Sequence, residues 1–260
     1  MYKYTLWLLK IGAVLNIYFL LQTLKSPMAS VDLFILLPAQ ILFFVSAYRC
    51  LFPVNYTTNT VLHDSFMSSI FVTRFLATFV EVAYIYQFSY IIRIINAEQF
   101  LFIDFLSWLM VVQVVASQFF VWSAILFQKE KYYYYEEFGW AIIFTLNAVS
   151  SAILYLYADN LDSYKTLLIL NLIFAAFYLP WQTVHLKSIR IRNKGLKNNF
   201  ELDFNWESLI EGLKKSLIKK NKSDNYDSWG GLVGMSWMIG YWIAVIPVWI
   251  FFIIYTFSNE

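Results

Sequence analysis

Arg74 and Glu81 are the residues of this 260-residue chain whose type and setting point most directly to chemistry. Both lie in a long apolar run, where an ionisable side chain is expensive and marks a functional candidate. On a helix, a seven-residue spacing returns to nearly the same face, and Thr78 falls between them on that stripe. Seven residues also rise about 10.5 Å. That is long for a direct pair, so each charge is expected to meet its partner elsewhere. Gln87 points away from the stripe. Counting in from the ends of the apolar runs puts Gln113 and Asn147 at the depth of Glu81, with Ser117 and Ser151 one turn from each. Gln40, Asp104 and Asn171 lie toward the opposite face of the membrane. Arg74, Thr78, Glu81, Gln113 and Asn147 are therefore the candidate lining of a ligand or ion pathway. The competing reading makes the amides and hydroxyls glue between helices. Charge costs more than amide, so a functional role weighs most on Arg74 and Glu81.

Several other chemistries are excluded by count. The two histidines, His63 and His185, are too few for a histidine-rich diiron centre or a three-histidine zinc hydrolase. They also fall short of paired bis-histidine haems. The single cysteine, Cys50, forbids an intramolecular disulfide and any cysteine-based zinc or iron–sulfur site. It reads as a small buried residue near a helix end. No Gly-rich phosphate loop, nucleophile elbow or zincin motif occurs. No cofactor, metal or nucleic-acid partner is expected, and no catalytic residue can be named.

The elements that must position these residues follow from composition. Hydrophobic residues make up 60% of the chain, aromatic residues 21% and charged residues 14%. A soluble domain carries about 25% charge, so an ordinary soluble enzyme is excluded. The expectation is an all-α, polytopic transmembrane bundle forming a single domain over 1–260. A bilayer core of roughly 30 Å needs about 20 apolar residues per helix, and seven stretches qualify: 4–24, 33–52, 66–92, 101–127, 138–158, 166–186 and 229–257. In lipid, helices satisfy every backbone N–H and C=O within the segment. A retained first helix is read rather than a cleaved leader.

Basic residues set the orientation. Fourteen Lys and Arg fall on the side of the N-terminus and three on the other, with Arg49 at the end of helix two counted among the fourteen. The N-terminus is thus expected in the cytoplasm and the C-terminus outside. That orientation and the absence of a Schiff-base lysine in the last helix exclude a microbial rhodopsin. A bacterial inner membrane, or an equivalent cellular membrane, is the expected location.

The 187–228 segment holds ten of the 19 Lys and Arg and is expected to be a cytoplasmic loop. Within it, Trp206, Leu209, Ile210, Leu213 and Leu217 recur at helical spacing after Asn205, predicting an amphipathic helix over 206–220. Lys214, Lys215, Lys219 and Lys220 would face anionic lipid, or the helix would pack on the cytoplasmic face of the bundle. In helix seven, Gly230 and Gly234 have the spacing that lets helices approach closely, and Pro247 should kink it. Tyr132 to Tyr135 sits at a loop edge.

Tyr48-Arg49-Cys50-Leu51-Phe52-Pro53, then Asp64-Ser65, Ser68-Ser69, Arg74, Ala77-Thr78, Glu81 and Gln87, resembles a pattern in an uncharacterised family of bacterial multi-helix membrane proteins. The likeness is strongest over Tyr48 to Gln87. It implies no activity, only that helix three is the polar centre. Three functions stay open. They are transport or channel activity around Arg74 and Glu81, a membrane enzyme on a lipid or lipid-linked substrate with Glu81 or Asp64 as base, and an accessory subunit of a complex or homo-oligomer.

Overall fold

The computed structural model describes residues 2–56, 58–129, 131–158, 164–192 and 205–258. Residues 193–204 of the expected cytoplasmic loop lie outside the described residues. The described residues are all-α apart from three two-residue strands. Its helices are α1 Tyr2–Gln22, α2 Leu33–Leu51, α3 Ile70–Asn96, α4 Leu101–Leu126, α5 Lys131–Tyr157, α6 Lys165–Arg192, α7 Trp206–Ile218, α8 Gly231–Ile239 and α9 Val245–Ser258. Among the described residues, six stretches are long and apolar enough to cross a membrane: α2, α3, α4, α5, most of α6, and α8 with α9 taken together. Leu6–Gln22 is a shorter apolar helix.

Several boundaries differ from expectation for local reasons. Helix three begins at Ile70, because Phe66–Ser68 form a 3₁₀ turn and the Ser69 hydroxyl accepts from the Val72 N–H at 3.3 Å. Helix five starts at Lys131, so Tyr132 to Tyr135 are helical rather than at a loop edge, with Tyr132 buried. Helix six runs on to Arg192, since neither Gly nor Pro occurs between Trp181 and Arg192 to stop it earlier.

The expected seventh helix is interrupted. A 3₁₀ turn at Asp227–Trp229 ends in Gly230, whose φ of +83° is left-handed. A Cβ on Gly234 would stand 1.9 Å from the Trp229 carbonyl oxygen. Gly230 and Gly234 thus serve a tight turn, not the helix–helix approach their spacing suggested. Between α8 and α9 the backbone widens into a π turn, Gly240–Ala244, in which the Val245 N–H donates to the Gly240 carbonyl. It sits just before Pro247, which has no N–H to give the carbonyl four residues back.

The described chain divides into two compact units, residues 1–84 with 214–260, and residues 85–213. In the first, α1 packs on α2, and both pack on the π turn. Leu9, Ala13, Cys50, Trp229, Met238 and Trp242 belong to its core. Strand β1 (Val54–Asn55) pairs antiparallel with β2 (Thr60–Val61), and β2 pairs parallel with β3 (Asn221–Lys222). In the second unit, α4 packs on α5 and α5 on α6.

The Asn205 side chain accepts from the Glu207 N–H at 2.9 Å and opens α7, as the sequence suggested. Helix α7 is docked through its small residues. A Cβ on Gly212 would stand 1.9 Å from the Leu126 carbonyl oxygen at the end of α4. Leu209, Leu213 and Leu217 are half-buried, while Trp206 and Ile210 of the same stripe are exposed.

Candidate functional site

Arg74 and Glu81 form a direct, two-pronged ion pair. Arg74 Nη1 donates to Glu81 Oε1 at 3.2 Å, and Nη2 to Oε2 at 2.6 Å. Both side chains are buried. The expectation that each charge meets its partner elsewhere is therefore corrected. Helix side chains lean toward the N-terminus, so Glu81 reaches back toward Arg74. The arginine stem, the longest in the repertoire, spans the remaining rise. The Thr78 hydroxyl donates to the Arg74 carbonyl one turn back, at 3.0 Å.

A second buried cation lies in the same unit. Arg49, in the last turn of α2, is only 6% exposed. Its guanidinium carbon stands 4.4 Å from the Trp242 ring centre and 5.4 Å from that of Tyr241. Nη2 donates to the Tyr56 hydroxyl at 3.3 Å. Nε and Nη1 have no acceptor among the described residues. Tyr241 also feels the charges of Glu81 and Arg74, so the two arginines, the carboxylate and this ring share one neighbourhood.

The π turn is tied to its neighbours through the Trp242 carbonyl. The Asn16 amide donates to it at 2.8 Å, and the Cys50 thiol stands 3.7 Å away. Wide turns of this kind recur at functional sites. Cys50 is buried, as its small size suggested.

In the second unit the candidate polar residues do different work. A Cβ on Gly139 would stand 2.7 Å from Gln113 Nε2 and 2.1 Å from the Ser117 hydroxyl. Gln113 and Ser117 on α4 thus face Gly139 on α5. Asn147 lies eight residues further along α5, about 12 Å, so Gln113 and Asn147 do not share a level as the counting from helix ends suggested. Asn147 is buried, and its carbonyl oxygen has no partner among the described residues. Two amides bridge helices. The Asn171 amide donates to the Ser151 hydroxyl at 3.1 Å, and the Gln182 amide to the Glu137 carboxylate at 2.8 Å and carbonyl at 2.7 Å. His185 stands 3.7 Å from Glu137 and stacks on Trp181.

No family model, curated protein or solved structure matches this chain. The reading of the site therefore rests on its own geometry.

Sequence reasoning placed Arg49 only as a cation at a helix end and missed its burial. The available signal was the Tyr241-Trp242 pair, which supplies flat faces for a guanidinium. It also missed Asn16, an amide in the middle of an apolar 21-residue helix. Asp64, weighed as a base, is 3.5 Å from Lys220, whose ammonium also donates to the Ser65 carbonyl at 2.7 Å. No group of three His, Cys, Asp or Glu able to hold a metal occurs among the described residues.

Proposed function

We propose that the protein is a transport or channel protein of a cellular membrane, with its polar site on α3 around Arg74 and Glu81. One observation carries this reading: a pair of full charges is buried and bonded along a single helix, α3. Polar glue in a membrane works between helices. A buried ion pair is also seldom a net source of stability, because desolvation offsets the Coulomb gain. A latched pair that can open offers a carboxylate and a guanidinium to a passing ion, proton or polar solute. The enzyme alternative is weaker, because both Glu81 oxygens already accept from Arg74 and are poorly placed to take a proton.

The finer topology belongs to the same proposal: seven spans in one transmembrane domain, the N-terminus in the cytoplasm and the C-terminus outside. Support comes from β2 and β3, whose pairing sets the α2–α3 connection beside residues 221–222. The four helices α3 to α6 lie between them in sequence, and an even number of crossings returns the chain to the same side. Cysteine labelling from outside should reach Ser258→Cys and should reach Ser223→Cys only after permeabilisation. The reverse pattern overturns the orientation.

The functional test uses protein reconstituted in liposomes under a panel of ion and pH gradients. Wild type should move charge or solute. Arg74→Gln/Glu81→Gln, which removes both charges and strands neither, should fold and lose at least about tenfold of that flux. A folded double variant with undiminished flux overturns the role of the pair.

A further inference from the structure

We infer that Arg49 holds a phosphate group at the end of α2, in a site separate from the α3 ion pair. The cation of a residue only 6% exposed needs a counter-charge, because an isolated buried ion is costly. Arg74 has one, in Glu81. Among the described residues Arg49 makes no ion pair, and Nε and Nη1 have no acceptor. The rings of Trp242 and Tyr241 stabilise the cation through their faces but accept none of its N–H groups. The two forked edges of a guanidinium are Nε with Nη2 and Nη1 with Nη2. Each edge of Arg49 therefore keeps one donor without an acceptor. Nη2, common to both, is held only by the Tyr56 hydroxyl, at the long distance of 3.3 Å. An oxyanion with two adjacent oxygens matches either edge. The local charge agrees, since the charges of two arginines and one carboxylate act on Tyr241.

Depth selects phosphate over a solute carried through the bilayer. Arg49 is in the last turn of α2, four residues before Pro53, where an apolar span gives way to the connection holding β1 and β2. In a membrane that is the level of phospholipid headgroups. The phosphate has two sources, the headgroup of a lipid in the adjoining leaflet or free inorganic phosphate, and Tyr56 is the side chain that either would displace.

The test is thermal unfolding of the full chain in a phospholipid-free detergent. It is titrated with inorganic phosphate in one arm and with phosphatidylglycerol mixed micelles in the other, chloride being held constant. Wild type should show a saturable rise in Tm in at least one arm. A rise with phosphatidylglycerol alone identifies a lipid headgroup, and a rise with inorganic phosphate identifies the free ion. Arg49→Lys keeps the charge and loses the fork, and should weaken the apparent affinity at least about tenfold. Arg49→Gln should abolish the shift, while the exposed Lys219→Ala should retain it. If Arg49→Gln does not fold, Arg49→Lys decides. No saturable shift in either arm, or an unaltered shift in Arg49→Lys, overturns the site.

Discussion

The buried charge pair of the first unit and two amides of the second are bonded in different ways. In the first, Arg74 and Glu81 satisfy each other along one helix, and Arg49 rests on aromatic faces at the end of another. In the second, Asn171 reaches from α6 to Ser151 on α5, and Gln182 reaches from α6 to Glu137 on α5. The charge pair of the first unit is therefore bonded along the helix that carries it, while these two amides of the second fasten one helix to its neighbour. The difference teaches where to look for activity. A bond between helices explains its own presence through stability. A bond within one helix does not, because α3 would be a helix without it.

The comparison breaks or holds first at the ion pair, where the largest effect is expected. Arg74→Met and Glu81→Met should each cost about 3–5 kcal/mol, because each leaves one buried charge without its partner. The double substitution should recover most of that loss. Titrated unfolding of all three in mild detergent measures the cycle. If the double variant is as unstable as the two singles summed, the charges are not each other's principal partners.

A middle-sized effect is expected where backbone meets backbone. Gly212→Ala should cost about 1–3 kcal/mol, in the range of overpacking, since the Leu126 carbonyl cannot rotate away. Faster proteolysis within α7 would report it. Gly139→Ala should cost less, as the Ser117 hydroxyl and Gln113 amide can turn aside. Equal losses would mean that the α4–α5 face is as rigid as the docking of α7.

Smaller again is the glue itself. Asn171→Leu should cost roughly 0.6 kcal/mol, the mean for hydrogen bonds between membrane helices. A cycle with Ser151→Ala should show coupling between the two. Asn147→Leu should be close to neutral, because the change removes a buried oxygen that has no partner among the described residues. A large loss at Asn147 would move it out of the glue and back among the candidate pathway residues.

The membrane character was legible because apolar run length is a direct physical requirement of the bilayer. The helix ends were less so. Run length reports where lipid stops, whereas α5 and α6 continue until a breaker or a cap ends them. Helix seven misled because Gly230 and Gly234 have one spacing and two uses, and only φ tells a left-handed turn from a packing face. At the candidate site, Arg74 and Glu81 were legible as costly groups on one stripe. Their direct contact was not, since backbone rise was weighed without the lean and length of the side chains. The level shared by Gln113 and Asn147 failed for a related reason. Counting from apparent helix ends carries every error in those ends, and α5 begins seven residues before its apolar run.

The pairing within α3 bears on how the chain is made. The first unit is discontinuous: residues 1–84 leave the ribosome early, and the remainder follows only after residue 213. Helix α3 must enter the bilayer long before α8 and α9 exist. A lone charge near the centre of a nascent span, where Glu81 stands, opposes insertion by about 3 kcal/mol. Because Glu81 lies two turns after Arg74, the newly made segment carries its own counter-charge. It can leave the translocon as a neutral span, with no chaperoning helix, whatever use the finished protein makes of the pair.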